Sequence, residues 1–282
     1  MTVVFALVSA MLYGVSDFAG GLAARRTSVW PVGLLACSGA AVGSVVIAVL
    51  EPGNPTTSDI AWGLLAGLGS GSGTAFLYRG LASGRMGVVA PVSAVGAVLL
   101  PLLVGVLAGE RPAAIAWAGI VVALPAIWLV SRDEGPVDGS ADRSGGRGAG
   151  LLDGILAGVG FGLLFAALGQ VPDGAGYWPL VANQGMSVVS LALVAVVLGG
   201  DVVPRRRAQV WGLVPGVLAT LAVLFFILAT HEGLLSLAAV ITSLYPAFTV
   251  LLAIVVLRER VHTTQSVGLA LCAVCVVCVS LS

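Results

Sequence analysis

The sequence contains no lysine: all thirteen of its basic residues are arginine. Only 9% of the chain is charged and the formal net charge is zero. That leaves no basic tail or stripe of the kind that tracks a phosphate backbone, so no nucleic-acid partner is expected. The two histidines, His231 and His262, fall in predicted turns without the spacing of a metal-binding pair. Neither a His-Glu-x-x-His nor a Gly-x-Ser-x-Gly stretch occurs. Two common hydrolase signatures are therefore missing. The four cysteines, Cys37, Cys272, Cys275 and Cys278, lie inside apolar runs. The last three share one helical stripe but have no further ligands beside them, and read as small apolar filler. No metal and no cofactor are expected.

What the sequence has in abundance is apolar length. Hydrophobic residues make up 59% of it and the mean hydropathy is +1.09. Such a chain belongs in a bilayer, and a helix needs about twenty apolar residues to cross one. Ten runs qualify, near 2–22, 30–50, 60–78, 86–108, 113–130, 150–169, 177–198, 210–230, 234–257 and 264–281. The first lacks a basic start, carries Asp17 and is followed by Arg25-Arg26. It reads as a retained helix and not as a signal peptide.

The stretch Trp62 to Ile120 returns without gaps as Trp211 to Leu269. Trp62, Gly63, Leu64 and Gly67 are answered by Trp211, Gly212, Leu213 and Gly216, Phe76 by Phe225, and Glu110-Arg111 by Glu259-Arg260. A repeat of this size sets the architecture. A polar segment rich in Gly, Asp and Arg divides the chain into residues 1–133, a linker 134–149, and residues 150–282. Each half holds five runs. Five is odd, so the second copy crosses the membrane in the opposite sense, a frequent plan for secondary transporters. The expected fold is an all-α membrane protein of ten transmembrane helices in two inverted five-helix repeats, the halves rocking about a midplane pocket.

Twelve arginines follow odd-numbered runs and one, Arg111, follows an even-numbered run. The positive-inside rule makes the first group cytoplasmic and leaves both termini outside. Gly150, Gly154, Gly158 and Gly162 in the sixth run, and Gly63, Gly67 and Gly71 in the third, mark close-packing faces. Pro91, Pro101, Pro125, Pro215 and Pro246 each remove a helical hydrogen bond.

Within the runs, Asp17 requires explanation, because a carboxylate at the bilayer centre costs about 2.5–3.5 kcal/mol. It follows Tyr13 and Ser16. It is either an interfacial carboxylate, paired with Arg25 or Arg26 or capping a neighbouring helix, or a proton-coupling or amine-binding site on a cavity. Thr242, Ser243, Tyr245 and Pro246 cluster in the ninth run, with Ser93 in the corresponding part of the fourth. They either line a cavity or bond back to their own helix. Tyr13, Phe76, Tyr78, Phe161, Phe165 and Phe225 are candidate pocket aromatics, with core or interfacial packing the commoner use. Glu110, Arg111, Glu259 and Arg260 close runs before short turns, where the carboxylate can cap the next helix and the arginine reach headgroups. Gln170 and Asn183 lie near run ends and say little.

The doubled unit, with a Glu-Arg pair closing the fourth run of each five, resembles the EamA-type drug/metabolite transporter (DMT) superfamily. Tyr13-Gly14-Val15-Ser16-Asp17-Phe18 is similar to the start of that family's first repeat, and the resemblance covers almost the whole chain. It implies a multi-pass cell-membrane protein with a cavity lined by helices one, three, four, six, eight and nine. It also implies alternating-access movement, as an exporter, of small metabolites such as amino acids. Both termini would then be cytoplasmic, against the arginine count. A small-molecule substrate, membrane lipid and proton coupling are the expected partners, with the chain a monomer or weak homodimer. An intramembrane enzyme and a non-transporting scaffold or channel are the alternatives.

Overall fold

The structure is a computed structural model that describes residues 1–24, 29–82, 86–131, 146–205, 207–257 and 263–281. Among these residues the regular structure is entirely helical: α1 Thr2–Ala24, α2 Val29–Leu50, α3 Thr57–Ala82, α4 Met86–Leu107, α5 Ala114–Ser131, α6 Gly146–Leu168, α7 Trp178–Val197, α8 Leu213–His231, α9 Leu235–Thr242, α10 Tyr245–Leu257 and α11 Thr263–Ser280. Among the described residues six helices are long and apolar enough to cross a bilayer, and four shorter apolar stretches accompany them.

Local chemistry explains the ends. Thr56 and Asp59 form a reciprocal cap at the start of α3: the Thr56 N–H and hydroxyl donate to the Asp59 carboxylate at 2.7 and 2.8 Å, and the Asp59 N–H returns a bond to the Thr56 hydroxyl at 3.2 Å. The ninth run is not one helix. Pro246 has no N–H to give Thr242, and the Leu244 N–H bonds to Ile241 and not a full turn back, so the helix breaks into α9 and α10.

The glycine strips pack as close-approach faces. A Cβ on Gly63 or Gly67 of α3 would overlap the carbonyls of Pro179 and Asn183 on α7. The second copy makes the same contact, Gly212 just before α8 and Gly216 within it lying on the carbonyls of Val32 and Ala36 of α2. Gly154, Gly158 and Gly162 of α6 lie in turn against Val92, Gly96 and Leu100 of α4.

These contacts also set direction. Residue numbers rise together along α3 with α7, and along α8 with α2. They run oppositely along α3 with α6, where Gly73 meets Phe161 and Gly80 meets Asp153, and along α2 with α7, where Gly33 meets Leu191 and Gly53 meets Gly176. Ser9 and Ser16 of α1 donate to the carbonyls of Ala222 and Pro215 of α8, which makes that pair antiparallel too. Taken together these senses make α1 and α6, the first helices of the two copies, run in opposite directions. The repeats are inverted.

Rocking of residues 1–133 against 150–282 does not match how the chain packs. The most extensive pairings join the copies: α3 with α6 and α7, α4 with α6, α1 with α8, and α2 with α8. The molecule is therefore built of two interlocked bundles, α3–α4–α6–α7 and α1–α2–α8–α9–α10, with α5 and α11 paired at the side. The bundles meet where equivalent helices face each other, α2 on α7 and α4 on α9.

One face of the molecule collects the ends of α1, α3, α5, α7 and α10. In sequence, ten of the thirteen arginines fall between the α-helices whose ends meet there, and Arg79 and Arg147 lie in the last turn of α3 and the first turn of α6. We call it the arginine face, and the opposite one the terminal face, since both chain ends lie there.

Candidate functional site

A cavity of about 100 Å³ lies between the two bundles. One wall is Tyr13, Ser16 and Asp17 of α1, Ala36, Cys37 and Ala40 of α2, Pro215, Ala219 and Val223 of α8, and Tyr245 of α10. The other is Ser70, Thr74, Leu77 and Tyr78 of α3, Phe161, Leu164 and Phe165 of α6, and Gln184 of α7. Small residues on α2, α3 and α8 leave the space, and aromatic side chains from α1, α3, α6 and α10 bound it.

Asp17 stands one helical turn beyond Tyr13, on the same face of α1. Among the described residues no cation lies within ion-pair distance of it. Arg25 and Arg26, the partners suggested by sequence, lie outside the described residues. Asp17 is thus the one carboxylate on a wall otherwise made of hydroxyls, one amide, a thiol and apolar groups. Toward the terminal face, aromatic rings form a floor. Tyr13 meets Phe165 edge-on at 6.0 Å and Tyr245 at 6.1 Å, and Phe165 meets Phe226 at 4.6 Å. Below them the largest apolar core packs Leu168, Ile227, Leu235, Ala239 and their neighbours.

The remaining sequence candidates lie elsewhere. Phe76 is off the cavity and carries the Arg79 guanidinium 4.9 Å above its ring. Phe225 packs on Phe5 at 6.0 Å. Thr242 and Ser243 are fully buried at the α9–α10 break, beside Pro246, and their hydroxyls neither line the cavity nor bond back to the helix. Ser93 of α4 is likewise buried off the cavity and hydrogen-bonds Tyr245. Glu110 does cap a helix, but not the one that follows it. Its carboxylate takes the N–H groups of Leu235 and Ser236 at 2.6 and 3.1 Å, at the start of α9. Arg111 is exposed. Glu259 and Arg260 lie outside the described residues.

Other residues take part without having stood out in the sequence. Gln184 of α7 and Cys37 of α2 both line the cavity. Helices two and seven therefore line it, and among the described residues none of helix four does. Asp153 is 4% exposed and paired with Arg79, whose Nε donates at 2.8 Å, joining α3 to α6. A carboxylate in the first turns of an apolar run was the available signal. Asn183 is fully buried, with neither amide atom partnered among the described residues.

The family model for EamA-like transporters matches residues 1–132 and 148–281, one match on each copy of the inverted repeat. The chain belongs to the EamA-like transporter family. It is accordingly a multi-pass integral membrane protein of the DMT superfamily, a transporter of small molecules in a lipid environment. No curated protein matches the sequence. A solved structure, described only as the crystal structure of a protein, is similar over 99% of this chain and 98% of its own, with a TM-score of 0.70 at 16% identity. That likeness concerns the fold.

Proposed function

We propose that this EamA-like protein exports small amine-bearing metabolites, amino acids or close relatives, by alternating access. The observation that carries the reading is the cavity between the bundles, where Asp17, with no cation in ion-pair distance among the described residues, stands beside aromatic rings. Asp17 would take the substrate ammonium, or a proton in its absence. Phe161 and Phe165 would pack the apolar part, and Tyr78, Tyr245 and Gln184 would supply hydrogen bonds. Size favours a metabolite over a drug: about 100 Å³ is well below the roughly 300–1,000 Å³ of pockets for drug-sized ligands.

The aromatic floor lies on the terminal side, so the cavity's access is toward the arginine face. With that face cytoplasmic, the arrangement suits a transporter that loads from inside. The bodies that rock are the two interlocked bundles, hinged where α2 meets α7 and α4 meets α9, with α10 turning at the break before Tyr245.

A thermal-shift screen of the purified protein against amino acids, nucleosides, sugars and cationic dyes tests the substrate class. Amino acids or related amines should stabilise it, and Asp17→Asn should abolish that stabilisation. In vesicles the same variant should lose transport driven by a pH gradient. Unchanged gradient-driven transport would remove Asp17 from the mechanism.

A further inference from the structure

His231, the last residue of α8, has an acceptor at each ring nitrogen. Nδ1 lies 2.6 Å from the Asp173 carboxylate, and Nε2 lies 3.1 Å from the carbonyl oxygen of Val171. A neutral imidazole carries one N–H and leaves its other nitrogen a lone pair, which repels an acceptor oxygen. Only the imidazolium has two donors. Both bonds are thus made together only with a proton added.

The contact joins the two bundles. His231 ends α8, while Val171 and Asp173 belong to the connection between α6 and α7, which also meets the α2–α3 turn through the Asn54 N–H bond to Gly174 at 3.1 Å. It lies on the terminal face, beneath the aromatic floor. The first copy has no counterpart, because the residue equivalent to His231 is Ala82. The arginine-face ion pair, Arg79 with Asp153, stays inside one bundle.

We propose that His231, Asp173 and the Val171 carbonyl form a proton-binding site that latches the terminal-face gate shut. The inference rests on the alternating-access reading above. The charged and titratable groups on the packed elements are Glu232 beside it, Glu51 on the α2–α3 turn, Glu110 and Arg111 before α5, Tyr177 before α7 and the amino group of Met1. Burial, then the Glu51 and Asp173 carboxylates, raise the Tyr177 phenol above its ordinary range, so it remains neutral. The sign follows from the donor count. The latch is complete while His231 carries the added proton and Asp173 is ionised, and it opens as rising pH removes that proton.

Spin labels at Gly174 and Glu232 in the full-length protein, free of its other reactive cysteines and in lipid nanodiscs, would report the separation of the two connections. At about pH 5.5 one short distance is expected, and at about pH 8.5 a separated population about threefold larger. His231→Gln and Asp173→Asn should show that population at both pH values. If the pair separates on adding substrate with no pH dependence in the wild type, or if His231→Gln keeps the wild-type pH response, the latch is refuted and rocking stands. One distance under every pH, variant and substrate refutes rocking as well.

Discussion

A carboxylate in an apolar run means different things at Asp17 and at Asp153, and the difference is their partners. Asp153 is paired with Arg79, whose side chain is about a third exposed while that of Asp153 is 5% exposed. The two ends of that pair are unequal. Arg79→Met strands a buried charge and should cost about 3 kcal/mol. Asp153→Asn leaves a guanidinium that water can still reach, and should cost clearly less. Thermal denaturation in detergent measures both, and equal losses would show that the carboxylate is not the member held by the pair. Asp17 was legible in the sequence because it breaks an apolar run. Gln184 and Cys37 were not, because a cavity wall built from several helices leaves no pattern along any one of them.

Among the elements, α6 is held closely to α4 along its glycine strip. A Cβ on Gly158 would stand 2.9 Å from Gly96 Cα and 3.1 Å from the Ser93 carbonyl, both on α4. Gly158→Leu should therefore force α4 and α6 apart, with an overpacking cost of about 1–3 kcal/mol or more. A severalfold lower yield of monodisperse protein on size exclusion is the expected result. Normal yield and melting temperature would mean that the strip faces lipid. The glycine spacing predicted a packing face, and its partner became known only from the fold. Glu110 repeats the lesson: a carboxylate closing a run announces a cap, yet the helix it caps, α9, begins 125 residues later. Local sequence supplies the donor or acceptor, and chain topology decides what stands opposite it.

For the whole molecule, both termini lie on one face and most arginines are assigned by connectivity to the other. If the arginine face is cytoplasmic, cysteines placed at each end of the chain should both react with an impermeant maleimide on intact cells, and one placed at 140 should not. The reverse pattern would put the cavity's access outside and overturn the export direction. The copied segment and its odd number of runs determined by themselves that the chain is a membrane-embedded inverted repeat, because hydropathy and helix parity depend on nothing beyond the sequence. Tertiary structure alone decided that the repeats interlock. The sequence divides at residues 134–149, but glycine faces bury only against a partner of matching shape, and those partners lie in the other copy. The two bundles and the cavity between them thus belong to the packing and not to the order of the chain.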